Sequence, residues 1–193
     1  MHFLALLLLF FAVLPTAYAE QHFTLSYGFS TGGEVTENEQ EQHTINGAPS
    51  FSVRLETDID EGRIGLFYSH QSSKLEHYDL DSQIDYFHLQ SALDYELKPL
   101  ISSFVGASLG ASYIQTQWSN KDYFFSGSLF TGLAYSFSSN IKVSAEGRWL
   151  SSAIETQAYG QCTAPSSSSE CNLKFSGKWL HQIQTQIALT LTF

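Results

Sequence analysis

The sequence predicts an all-β fold, an eight-stranded antiparallel up-and-down transmembrane barrel. Three observations carry that prediction. Apolar and polar residues alternate with period two through most of the chain, connectors between the alternating segments run long and short in turn, and the polar face is built mainly of Ser, Gly, Gln and Thr. Alternation sustained over eight or more residues marks a strand with two different environments. No stretch competes as an amphipathic helix. Beyond the amino terminus, no apolar run approaches the roughly 20 residues that a membrane helix requires.

The first nineteen residues read as an export signal. Residues 3–14 form an unbroken run of twelve apolar side chains, followed by Pro15 and the small-x-small triplet Ala17-Tyr18-Ala19. That is the layout of a secretory core and its cleavage site, and it places the cut after Ala19. Residues 1–19 are then a cleaved signal peptide and residues 20–193 one barrel domain, a length that suits a single domain. No Lys or Arg precedes the core, so a retained amino-terminal anchor is the competing reading.

Eight alternating segments follow. Phe23, Leu25, Tyr27 and Phe29 share one face of the first, and Phe51, Val53 and Leu55 oppose Ser52, Arg54 and Glu56 in the second. The third, residues 63–71, carries Ile64, Leu66 and Tyr68, with Phe67 blurring its parity. In the fourth, Phe87, Leu89, Leu93 and Tyr95 oppose His88, Gln90 and Asp94; in the fifth, Val105, Ala107, Leu109 and Tyr113 oppose Gly106, Ser108, Gly110 and Ser112. The sixth sets Tyr123, Phe125, Leu129, Leu133, Tyr135 and Phe137 against Ser126, Ser128, Gly132 and Ser136. The seventh sets Ile141, Val143, Ala145 and Trp149 against Lys142, Ser144, Glu146 and Arg148. The eighth sets Trp179, Ile183, Ile187, Leu189, Leu191 and Phe193 against Gln182, Gln184, Gln186 and Thr190.

Connectors at 31–47, 72–81, 116–122 and 156–176 are long, and those at 59–62, 96–99 and 138–140 are short. Short turns at one end and loops at the other is the layout of a membrane barrel. Lipid solvates no backbone group, so a closed sheet is the only strand arrangement that can cross it. A soluble barrel around a ligand would turn its polar face to water and need abundant charge there. Small polar residues fit instead the crowded interior of eight strands. The apolar face carries aromatics at both ends. Phe51, Tyr68, Phe87, Tyr113, Phe125, Trp149 and Trp179 stand toward the loops, and Phe23, Tyr95, Tyr135, Phe137 and Phe193 toward the turns. Two such belts around an aliphatic band are what two membrane interfaces select. Composition excludes other classes: 9 Lys and Arg against 19 Asp and Glu, a net charge of −10, leave no basic surface for nucleic acid.

With its signal segment, eight amphipathic strands and a final strand ending Ala188-Leu189-Thr190-Leu191-Thr192-Phe193, the chain resembles the small eight-stranded outer-membrane β-barrel family. That family includes OmpA-type transmembrane domains and opacity-type porin-like proteins. The resemblance implies an integral, monomeric outer-membrane protein of a Gram-negative bacterium with both termini periplasmic. Its implied partners are outer-membrane lipid, lipopolysaccharide and the barrel assembly machinery, which would read a signal ending in Phe193. Activity does not follow, because this fold hosts anchors, adhesins, channels and lipid-modifying enzymes.

Candidate chemistry is sparse. Arg54, Glu56, Asp94, Lys142, Glu146 and Arg148 share the inward parity. They form either a switchable ion path or a paired core that plugs the barrel, and the narrow interior favours the plug. His70-Gln71-Ser72 resembles the His-x-Ser pairing of lipid A deacylases, with Glu76 as orienting acid, although here it stands on the third strand rather than a late one. The plainer reading of His70 and Ser72 is solvated surface. Glu34, Glu37, Glu39 and Glu41 crowd the first loop; they either hold divalent cations or form a solvated acidic loop, and their spacing matches no calcium-binding pattern. Cys162 and Cys171, with eight residues between them in a Ser-rich loop, fit a local disulfide in an oxidising compartment. No metal or cofactor is called for. The expected function is a non-enzymatic barrel presenting four loops for surface interaction or envelope integrity. A narrow porin-like channel is the alternative, and a lipid A-modifying enzyme comes third.

Overall fold

A computed structural model describes residues 19–37, 41–44, 47–74, 81–116, 122–154, 160–162, 171–175 and 178–193. Residues 1–18, most of the segment that reads as an export signal, lie outside these. In chain order the described strands are β1 (Gln21–Thr31), β2 (Glu34–Glu37), β3 (Glu41–Thr44), β4 (Ala48–Ile59), β5 (Gly62–Lys74) and β6 (Asp81–Lys98). They continue as β7 (Ile101–Thr116), β8 (Asp122–Ser138), β9 (Ile141–Ala153), β10 (Gly160–Cys162), β11 (Cys171–Phe175) and β12 (Trp179–Thr192). Eight of them close into a barrel in the order β1-β12-β9-β8-β7-β6-β5-β4, every neighbouring pair antiparallel. This is the predicted up-and-down barrel.

Closure joins the two ends of the chain. Phe23 pairs with Leu191, Leu25 with Leu189 and Tyr27 with Ile187. Gln21 and Phe193 exchange backbone hydrogen bonds of 2.9 and 3.0 Å, so the final residue is tied into the seam. Along one rim, residues 60–61, 99–100 and 139–140 turn the chain in two residues each. Asp60 there adopts a φ of 43°, the left-handed conformation that tight hairpins demand.

The two faces separate as period two requires. Leu66, Leu109 and Ile187 on the outer wall are 57%, 62% and 67% exposed, whereas Ser52, Ser112 and Gln184 inside are wholly buried. An apolar wall this extensive is not tolerated in water and marks a surface meant for lipid. The ambiguous third segment resolves cleanly. Leu66 and Tyr68 face outward with most of the other strands' apolar residues, and Phe67 points into the lumen, as Tyr86, Phe104 and Phe130 do on other strands.

Outside the barrel, the first and fourth long connections depart from the loop reading. They contribute the short strands β2, β3, β10 and β11, which pair into one sheet in the order β10-β11-β2-β3. The acidic first loop is therefore a hairpin in part, with Val35 in register with Phe175 and Glu37 with Leu173. Sustained backbone pairing with a distant segment explains why local composition hid it.

Candidate functional site

The lumen holds the densest chemistry, and inward parity on five strands positions it. β4 contributes Arg54 and Glu56, β5 Arg63 and Phe67, β6 Gln90 and Asp94, β9 Glu146 and Arg148, and β12 Gln186. Glu146 is the hub. Arg54 donates to its Oε2 at 2.6 Å, while Oε1 accepts from Arg148 Nε at 2.9 Å and from Gln186 at 2.8 Å. Arg148 continues to the Gln90 carbonyl at 3.1 Å and to Ser128 at 3.0 Å, and Gln90 donates to Glu56 at 2.8 Å. The second Glu56 oxygen accepts from Arg63 at 3.0 Å, and Arg63 grips both Asp94 oxygens at 2.7 and 2.9 Å. Three guanidiniums thus face three carboxylates in one connected, neutral network.

Arg54, Glu56, Glu146 and Arg148 are only 2%, 3%, 4% and 1% exposed. Charges this buried are tolerated only when paired and hydrogen-bonded. Aromatic rings complete the plug. The Arg148 guanidinium carbon lies 3.8 Å from the Phe67 ring centre and 4.0 Å from that of Phe130, a cation held between two π faces. Gly106 and Gly132 make room for it. A methyl group at either would run into the ring of Phe130 or Phe104 respectively.

Of the six inward charges expected from sequence, Arg54, Glu56, Glu146 and Arg148 therefore meet in the network's buried centre, and Asp94 joins it at an exposed end through Arg63. Lys142 instead lines the turn-end mouth. Sequence reading missed Arg63, Phe67 and Phe130. Arg63 shares parity with Phe67, so placing that ring inside would have revealed it.

At the turn end the lumen opens into a vestibule of about 340 Å³, with Asp58, Asp60, Glu61, Glu96, Lys98 and Lys142 among its lining. Inward it narrows to about 20 Å³ between Arg54, Arg63, Lys142 and Phe104, room for about one water. Glu20, His22 and Asp58 offer three ligand atoms within 4.8 Å of one another at this rim. Both His22 nitrogens already hold partners, Thr192 at 2.9 Å and Asp58 at 2.8 Å, so the trio reads as a latch across the seam. The loop-end half of the lumen is built differently. Tyr86 and Gln71 both donate to the Gln182 carbonyl, at 2.6 and 2.9 Å, and Gln184 donates to Ser69 at 3.0 Å. The Ser30, Ser50, Ser73 and Ser82 hydroxyls there are buried without a protein partner among the described residues.

The outer wall carries the remaining candidates. Phe51, Phe87, Phe125, Trp149 and Trp179 are exposed toward the loop end, where Tyr68 and Tyr113 are half-buried; Tyr95, Tyr135, Phe137 and Phe193 are exposed toward the turn end, with Phe23 half-buried. Tyr68 stacks on Phe87 with ring centres 4.8 Å apart. His70 and Ser72 point outward, whereas Gln71 between them points into the lumen. Glu76 lies outside the described residues, and the acid against His70 is Asp85, with Nδ1 at 2.8 Å from Oδ1. An ionised carboxylate only accepts, so Nδ1 is the donor. Asp85 also accepts from Tyr68 at 2.9 Å and from Gln83 at 2.8 Å. Ser72 is exposed one row closer to the loops, in register with Gln83.

Glu39 and the side chains of Glu34, Glu37 and Glu41 lie outside what the structure describes. Cys162 and Cys171 stand directly opposite each other in the β10–β11 register.

A scan against protein-family models and a search of curated proteins each find no match. Solved structures do match. Neisserial surface protein A aligns with a TM-score of 0.64 at 11% identity, over 90% of this chain and 97% of that one. The outer membrane protein OprG from Pseudomonas aeruginosa aligns with a TM-score of 0.54 at 8% identity, over 88% and 95%. The chain has the fold of the small eight-stranded outer-membrane β-barrels.

Proposed function

We propose that this protein is an integral outer-membrane barrel of a Gram-negative bacterium, working as a sealed and non-enzymatic scaffold. Its turns and both termini face the periplasm, and its long connections stand outside for surface interaction or envelope integrity. The observation that carries this reading is the neutral network from Asp94 to Arg54, which fills the lumen with interlocked side chains. An ion entering from the vestibule meets a desolvated layer in which each carboxylate is already engaged, and displacing any one exposes a buried opposite charge. The apolar wall with aromatics toward both rims supports the membrane setting.

Planar bilayers test the seal. Purified wild-type protein is expected to give no steady open level, and Glu146→Gln, which frees Arg54 and Arg148 from their shared acceptor, is expected to give transient openings. A steady wild-type conductance would overturn the sealed reading in favour of a narrow channel. Orientation is read separately, by protease treatment of intact cells: cleavage inside residues 163–170 is expected, and protection there until the envelope is permeabilised would reverse the assignment of sides.

A further inference from the structure

The outer wall is not uniform around the barrel. Between β4, β5 and β6 a groove of about 370 Å³ runs over Val53, Leu55, Leu66, Tyr68, Phe87 and Leu89. That volume falls in the range of small-molecule sites. Strand register places it exactly one row at a time: Leu55, Leu66 and Leu89 share a row, and Val53, Tyr68 and Phe87 share the next toward the loops. The row after that is Phe51, His70 and Asp85. A polar cluster therefore sits directly on top of an apolar groove, and Tyr68 belongs to both, stacking on Phe87 while donating to Asp85.

Asp85 is unusual for its position. It has outward parity yet is only 6% exposed, covered by Tyr68, His70 and Gln83. A carboxylate offers about four lone-pair directions, and three are occupied by these donors, which leaves about one. The cluster thus presents one open acceptor position at the Asp85 carboxylate.

We propose that this face seats one outer-leaflet lipid of the lipid A type, with an acyl chain in the groove and a hydroxyl or amide N–H of its polar linkage donating to Asp85. The groove opens on the hydrocarbon band, where an acyl chain is the occupant at hand. The acceptor cluster one row above selects a chain whose linkage carries donors. This rests on the reading that the loop end faces the outer leaflet.

Native mass spectrometry of the whole barrel in non-ionic detergent, with lipid A or phosphatidylglycerol added, tests the seat without reference to orientation. One lipid A per barrel is expected to be retained, at least tenfold better than phosphatidylglycerol. Filling the groove with Leu66→Trp or Leu89→Trp is expected to cut retention about tenfold, whereas Ile187→Trp on the outer face of β12 leaves it unchanged. Asp85→Asn, checked for folding by heat-shifted gel mobility, is expected to erase the preference for lipid A while retaining acyl-chain binding. No retained lipid, equal retention of both lipids by the wild type, or groove variants that match Ile187→Trp would each overturn the proposal.

Discussion

The two halves of the lumen bury polar groups in different ways. Between its centre and the turn-end vestibule, the interior is charged and filled, with every carboxylate oxygen of Glu56, Asp94 and Glu146 accepting from a named donor and Arg54 Nε alone among its buried guanidinium nitrogens without a protein partner among the described residues. Toward the loops it is neutral, built of hydroxyls and amides, and Ser30, Ser50, Ser73 and Ser82 find no protein partner among the described residues. The difference follows from what each group tolerates. A buried charge without its partner is destabilising by several kcal/mol, whereas a buried hydroxyl is satisfied by a single ordered water. Sensitivity to substitution is therefore concentrated in the charged layer, and the neutral half is the permissive one.

Removing the hub should break this contrast most sharply. Glu146→Ala leaves Arg54 and Arg148 buried without the acceptor they share, and is expected to destabilise the barrel by about 3–5 kcal/mol. Urea unfolding in lipid vesicles measures it. A loss under about 1 kcal/mol would mean that the layer is hydrated and the distinction between the halves is false. Next comes the close packing of the lumen wall. Gly132→Ala drives a methyl into both the Ala145 backbone oxygen and the Phe104 ring and is expected to cost about 1–3 kcal/mol, of which Phe104→Leu in the same chain recovers only the ring's share. Gly147→Ala is the internal control, since nothing lies within 4 Å of the added carbon. Equal effects at Gly132 and Gly147 would show that the Phe104 ring and the neighbouring strand both move aside freely.

The neutral half should respond far less. Ser50→Ala and Ser73→Ala remove hydroxyls without a protein partner among the described residues, and each is expected to change stability by no more than about 0.5 kcal/mol in the same unfolding experiment. A loss comparable to that of Glu146→Ala would place an ordered polar network there too.

What could be read from the sequence follows the same division. The lumen and the outer wall are two uniform environments, so period two alone put Arg54, Glu56, Glu146 and Arg148 on one face and the leucines on the other. Phe67 defeated that rule because its reason for facing inward is Arg148, more than three strands away in the chain. Losing Phe67's parity also hid Arg63. The partner of His70 was equally out of reach: Asp85 is fixed by the β5–β6 register, which depends on how a connector of uncertain length closes. The small outer sheet was missed because β2 meets β11, a pairing that no local pattern encodes.

That small sheet permits the mildest prediction. Cys162 and Cys171 are directly opposed across β10–β11, the separation at which a cross-strand disulfide can form. The expectation is that neither thiol reacts with an alkylating reagent before reduction and both react after it. Such a bond would close a short segment outside the barrel and so restrain few unfolded conformations of the barrel itself. Cys171→Ser should therefore leave the urea midpoint of the barrel unchanged while speeding proteolysis within residues 163–170. A fall in the midpoint would carry a different message. Because β11 also pairs with β2, it would mean that the staple braces the first and fourth connections against the barrel rim, and that the permissive loop end is mechanically coupled to the wall beneath it.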